Sequence, residues 1–122
     1  MTYAFTRRTV RRLTDITRYD ESLAAFSKDK LWALFDGDRT ALNIAHECVD
    51  RHPADQTAIN IIVANGDDET FTFGELSLWS NRFANFLQDN GVQAGDRVAI
   101  MLEPSLAFYA ALFGSMKANC IA

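Results

Sequence analysis

Gly95-Asp96-Arg97-Val98-Ala99-Ile100-Met101-Leu102 reads as a tight turn that runs into five apolar residues without alternation. An alternating strand buries one face, whereas an unbroken apolar run expects cover on both, the mark of a parallel sheet inside an α/β protein. Past Glu103, Pro104 suits the first turn of a helix that reaches about Lys117. Leu106, Phe108, Tyr109, Leu112, Phe113 and Met116 surround that helix, so burial on every side is expected. Asn119 is suited to a left-handed cap, and Cys120-Ile121-Ala122 reads as the first residues of another buried strand. A strand, its crossover helix and the opening of a second strand therefore close the sequence, and the expectation is that the polypeptide stops inside a fold.

Upstream of the turn, Thr72-Phe73-Gly74-Glu75 matches a capping box, so a helix should begin there and end at Gly91. Leu76, Trp79, Phe83, Phe86 and Leu87 fall on one stripe of it, and core packing is the expected use of that stripe. Before this helix, residues 57 to 64 read as a strand, with Asn65-Gly66-Asp67-Asp68 as the turn of an antiparallel hairpin into Glu69 to Phe73. A short helix should start at Asn43 and cannot pass Pro53. A longer one should run from an Asp20 cap through Leu23, Phe26, Leu31 and Leu34 to about Asp36-Gly37-Asp38.

With 122 residues, 48% of them hydrophobic and 23% charged, the composition is that of one globular domain at most. The net charge of -4 is unevenly spread: up to Arg18 five arginines face only Asp15, giving +4 and leaving -8 to the rest. No long basic surface for nucleic acid is present. Arg7, Arg8, Arg11 and Arg12, interleaved with Val10 and Leu13, make a short basic arm in which membrane contact competes with plain solvation; Asp15 and the small apolar face favour solvation. Cys48 and Cys120 are far apart and form no disulfide framework, and there is neither a span-length apolar run nor a secretory signal, so a cytoplasmic location is expected.

Several groups invite a chemical reading, and each has a plainer one. His46, Cys48, Asp50 and His52 are ligand types, but a spacing of two puts neighbours about 200° apart on a helix, so the four cannot meet on one ion. Asp96-Arg97 reads as a local turn pair rather than an anion site. Ser105 and Tyr109 have no His or carboxylate placed by sequence to activate them. The glycines at 37, 66, 74, 91, 95 and 114 form no phosphate-loop spacing and no dinucleotide cradle after the strand, and Lys28, Lys30 and Lys117 are the only lysines. No catalytic, cofactor-binding or metal residue is assigned.

The runs Thr72-Phe73-Gly74-Glu75-Leu76, Ser80 to Leu87, Gly91-Val92 and Gly95 to Leu102, together with Phe108 to Ala118, resemble the opening of AMP-forming acyl-CoA synthetases. Leu42 to Pro53 is similar to the short helix before the hairpin in acetyl-, propionyl- and medium-chain-type members. Asn119-Cys120 departs from the Gly and small residue more common there, though Asn also tolerates the left-handed conformation.

The resemblance implies an α/β fold, the N-terminal portion of the synthetase large domain. It combines an antiparallel hairpin, the start of a parallel sheet and covering helices. Residues 1–40 would then be a basic arm and helix, and 41–122 an incomplete N-terminal part of an AMP-binding domain. It also implies the family reaction, in which a carboxylate, ATP and CoA give acyl-CoA, AMP and pyrophosphate, with Mg and CoA needed by the full-length enzyme. The family's Gly/Ser/Thr-rich loop ending in Lys, its Tyr-Gly-x-Thr-Glu segment, its ribose-binding Asp and its C-terminal Lys are all missing from the 122 residues. Inactivity alone is therefore expected. The expected partner is the remainder of a synthetase, or a second copy through exposed apolar surface. A standalone interaction module without catalysis is the competing reading.

Overall fold

The computed structural model describes residues 11–64 and 66–122, so most of the basic arm, Arg7, Arg8 and Val10 included, and the turn residue Asn65 lie outside the described residues. The chain divides into two compact units, Met1–Thr40 and Ala41–Ala122.

The described part of the first unit holds a short 3-10 turn, Leu13–Asp15, and two helices, α1 (Tyr19–Ala25) and α2 (Lys28–Trp32). The single helix expected from Asp20 to Asp36 is thus broken. Phe26 is extended at ψ 133°, and the Ser27 hydroxyl oxygen accepts from the Lys30 amide at 3.2 Å and opens a new helix. Asp20 is not the cap; Arg18 holds that position and Asp20 lies in the first turn, where its charge suits the helix dipole.

In the second unit Asn43 does cap, its Oδ1 accepting from the amides of Ala45 and His46 at 3.0 and 3.4 Å. The segment beyond it, His46–Asp50, is a π turn rather than a plain α-helix. The hairpin pairs β1 (Thr57–Ile61) with β2 (Glu69–Thr72) antiparallel, Ile59 opposite Phe71 and Ile61 opposite Glu69, with an irregularity between Thr57 and Ile59. The first strand is shorter than expected: Ile62 and Val63 leave the ladder and stand exposed.

Helix α3 (Phe73–Asp89) starts on the expected capping box. Thr72 Oγ1 accepts from the Glu75 amide at 3.2 Å, and the Thr72 amide donates to Glu75 Oε2 at 2.9 Å. It ends where Gly91 turns left-handed at φ 79°, with the Gly91 amide donating to Gln88 and the Val92 amide to Leu87, both at 3.0 Å. Those two hydrogen bonds satisfy the carbonyls of Gln88 and Leu87 in the last turn of the helix. Helix α4 (Leu106–Lys117) closes in the same way on Asn119, at φ 57°, with Asn119 donating to Met116 and Cys120 to Ser115. Its start differs from expectation: Pro104 stays outside, and Ser105 caps the helix by accepting from the Phe108 amide at 3.2 Å.

Packing corrects two further expectations. The buried face of α3 is Leu76, Ser80, Ala84 and Leu87, while Trp79 and Phe86 of the aromatic stripe are 45% and 57% exposed. Helix α4 buries one face rather than all of its circumference, and that face is small: Ala110, Ala111, Gly114 and Ser115. Small side chains let the two backbones approach closely. A Cβ on Gly114 would lie 2.7 Å from the Ser80 carbonyl oxygen and 2.9 Å from Phe83 Cβ.

The parallel sheet is present at its first contact. Arg97 and Ile121 form a parallel bridge, with the Val98 amide donating to Ile121 at 2.9 Å and the Ile121 amide to Asp96 at 2.8 Å. The run Val98 to Leu102 does not continue as a paired strand, and Met101 is 95% exposed. A strand exists only where a neighbour takes its hydrogen bonds, and among the described residues none does so beyond Val98. No described helix is long and apolar enough to cross a membrane.

Candidate functional site

The most concentrated polar chemistry of the second unit joins the π turn, α3 and α4. Lys117, the one charge on α4, reaches back with its Nζ to donate to Asp50 Oδ1 at 2.7 Å, Asn81 Oδ1 at 2.8 Å and Ser77 Oγ at 3.4 Å. Ser77 Oγ in turn donates to Asp50 Oδ1 at 2.6 Å. The Lys117 side chain is only 10% exposed and that of Asp50 32%.

Burying an ammonium is costly unless its charge and its donors are met. An ammonium has three donors, and here three oxygens receive them. The Ser77 proton is likewise directed to Asp50 Oδ1, the same oxygen that takes the Lys117 ammonium. The arrangement is thus a clamp that fixes three elements against one another. Asp50, the carboxylate beside the Ser77 hydroxyl, is itself held by the Lys117 ammonium.

Of the groups singled out from the sequence, Asp50 enters this clamp and the others have partners or positions outside it. His52 Nε2 is 3.2 Å from the Glu47 carbonyl oxygen, and its ring stacks on Phe73 with centroids 4.4 Å apart. Glu47, itself buried, is ion-paired with Arg51 one turn on. Only Asp50 of the four ligand types enters the clamp, and no cluster of three His, Cys, Asp or Glu side chains forms among the described residues. The Asp96 carboxylate accepts from the Gln93 amide at 2.8 Å, closing its own turn. Ser105 is occupied with capping, its hydroxyl also donating to the Glu103 carbonyl. Cys120 is buried and its thiol faces the Gln93 and Ala118 carbonyls, whereas Cys48 is exposed.

Two hollows flank the helix pair, the first of mixed lining and the second apolar. One, of about 350 Å³, lies between the hairpin and the helices and includes Cys48, Ile59, Phe73, Leu76, Tyr109 and Phe113 in its lining. The other, of about 330 Å³, has Trp79, Phe83, Phe86 and Leu102 in its lining, with Arg82 as its one charged residue. Arg82 sits over the Trp79 ring at 4.8 Å, a cation–π contact that shields part of the exposed indole.

Lys117 is the signal in the sequence for the clamp: a single charge ending an otherwise apolar helix must find partners if that helix packs. The identity of the partners is not readable there, because Asp50 lies 67 residues away.

Comparison with known proteins places these elements. The family model described as AMP-binding enzyme matches residues 45–122. Surfactin synthase subunit 2 of Bacillus subtilis is 38% identical over 82 residues, covering 67% of this chain and 2% of that protein. The acetyl-coenzyme A synthetase of Xanthobacter autotrophicus is 45% identical over 73 residues, 54% of this chain and 11% of the synthetase. The crystal structure of Brucella canis acyl-CoA synthetase superposes with a TM-score of 0.77 at 32% identity, covering 87% of this chain and 20% of that one. The chain therefore spans about a tenth or less of the length of these two curated relatives.

Proposed function

We propose, since this chain belongs to the AMP-binding enzyme family, that residues 41–122 are the opening scaffold of an ATP-dependent acyl-CoA synthetase. The reaction of the whole enzyme would join a carboxylate to CoA through an acyl-adenylate, releasing AMP and pyrophosphate, in the cytoplasm. ATP, Mg and CoA would be its cofactors.

The observation that carries this reading is the agreement over 87% of the chain with a solved acyl-CoA synthetase at 32% identity. The physical character of the elements fits it. Capped helices, a close helix–helix approach and a satisfied ionic clamp are what a supporting layer requires. The residues do not fit a nucleotide or metal site of their own. Holding a transferring adenylyl group takes converging amides and cations, whereas Lys117 is committed to Asp50, Asn81 and Ser77. The glycines form no phosphate-loop spacing. The chain's part in the reaction is accordingly to position the layers on which other segments carry the chemistry.

A segment exchange tests this. Residues 45–122 replace the matching stretch of the Brucella canis enzyme, and CoA-dependent AMP formation is measured. The expected chimera keeps activity within about tenfold of the parent enzyme. A folded chimera, native by circular dichroism and still binding ATP, that forms no AMP would refute the scaffold reading.

A further inference from the structure

We propose that Asp50, Ser77 and Asn81 form a seat for one compact ammonium-type cation, which Lys117 fills as a tethered ligand and which a free ammonium ion fills when the tether is withdrawn. The inference rests on the placement of oxygens in the clamp and is independent of the proposed reaction.

Two elements supply the oxygens. Asp50 ends the turn His46–Asp50, while Ser77 and Asn81 stand four residues apart on α3, the spacing that brings two side chains onto one face of a helix. Their oxygens gather round the Lys117 Nζ, Asp50 Oδ1 at 2.7 Å, Asn81 Oδ1 at 2.8 Å and Ser77 Oγ at 3.4 Å. The two shortest lie in the range of charge-assisted hydrogen bonds. Ser77 turns its own proton to Asp50 at 2.6 Å, so toward the nitrogen it can only accept.

The group recognised is the ammonium head, because all three contacts end on Nζ. Charge sets the number of cations at one: Asp50 brings a single negative charge, and Ser77 and Asn81 bring none. Among the described residues Lys117 is the one cation within ion-pair distance of Asp50. Withdrawing it leaves the carboxylate uncompensated and the Asn81 oxygen without its donor, a state that a matching cation relieves. All four residues belong to the unit Ala41–Ala122. With the Lys117 side chain only 10% exposed, a neighbour packed beside the seat encloses it further. Filling the seat also fixes the chain beyond α4, since Asn119 turns left-handed two residues on and the Ile121 amide then meets the Asp96 carbonyl at 2.8 Å.

Chemical rescue of the whole chain, followed by thermal unfolding, is the test. Lys117→Met keeps a stem that stops one atom short of the ammonium and so vacates the seat. Its melting temperature is expected to rise by about 3 °C or more as ammonium chloride is added, levelling off as the seat fills. Tetramethylammonium chloride at the same ionic strength has no N–H donors and is too large to enter, and should give little of that rise. The wild type, with its seat occupied, should respond to the two salts alike, and so should Lys117→Met combined with Asp50→Asn. Lys117→Ala opens the path of the stem as well, and should respond more to n-propylammonium, the missing stem and head together, than to ammonium. For a variant that is unfolded without amine, the same comparison is read as recovery of the native circular dichroism. Equal stabilisation of Lys117→Met by ammonium and tetramethylammonium overturns the proposal. So does the absence of recovery by an amine in both variants, or a rescue that persists without the Asp50 carboxylate.

Discussion

Residues 11–40 and residues 41–122 both carry caps and apolar positions, yet only the second stretch buries any side chain among the described residues. In the first, Ser27 caps α2 and Arg11 pairs with Glu21, while Leu23, Phe26 and Tyr19 stay exposed. In the second, each of α3 and α4 has a side-chain cap at its start, a left-handed residue at its end and a buried face, which on α4 consists of small residues alone and on α3 mixes Ser80 and Ala84 with Leu76 and Leu87. A local signal starts and stops a helix. Packing of a face is what gives the helix most of its stability. The difference lies in whether a helix face meets another element, and that is where substitution should be felt.

The largest effect is expected at Gly114. Valine there pushes a branched side chain into the Ser80 backbone and Phe83, and should cost about 3 kcal/mol, read as a melting temperature roughly 10–20 °C lower. An unchanged melting temperature would show that the α3–α4 approach is looser than described. Next comes the clamp. Lys117→Met keeps the aliphatic stem but removes the donors of Asp50 and Asn81, and should cost about 2 kcal/mol in denaturant unfolding. If Asp50→Asn and Lys117→Met prove additive in a double-mutant cycle, the two groups do not act as one unit. At the small end, Leu23→Ser in α1 should change stability by no more than about 0.5 kcal/mol, because Leu23 is already 64% exposed. A loss comparable to that at Gly114 would erase the contrast between the two stretches.

Much of the second stretch is readable in the sequence, for a local reason. Thr72 with Glu75, Gly91 and Asn119 act on backbone groups within a few residues, so their types alone announce helix ends. The hairpin and the parallel contact are also legible in short runs. The features that stay hidden depend on distant partners. The stripe Trp79, Phe83 and Phe86 looks like a core face, yet the close approach at Gly114 turns α3 so that Ser80 and Ala84 face inward instead. Small residues carry little hydrophobic signal, so periodicity overlooks the face that packs most tightly. The run Val98 to Leu102 announces a buried strand, but pairing needs neighbours, and only Ile121 supplies one among the described residues. The break at Ser27 is masked because one apolar spacing spans both α1 and α2, while a serine cap in the middle is a weak mark in an unpacked stretch. For the candidate site, the lack of phosphate-binding motifs is plain from spacing, whereas the clamp requires knowing that Asp50 and Lys117 meet.

On the proposed reading this chain supplies support and no adenylation chemistry of its own. The most direct test is carboxylate-dependent exchange of labelled pyrophosphate into ATP by the purified 122-residue chain, with acetate, propionate and medium-chain acids offered in turn. No incorporation above that of a protein-free blank is expected with any acid. Incorporation that depends on the acid and disappears in Lys117→Met, with the fold retained, would contradict that reading and would make the clamp a reacting site.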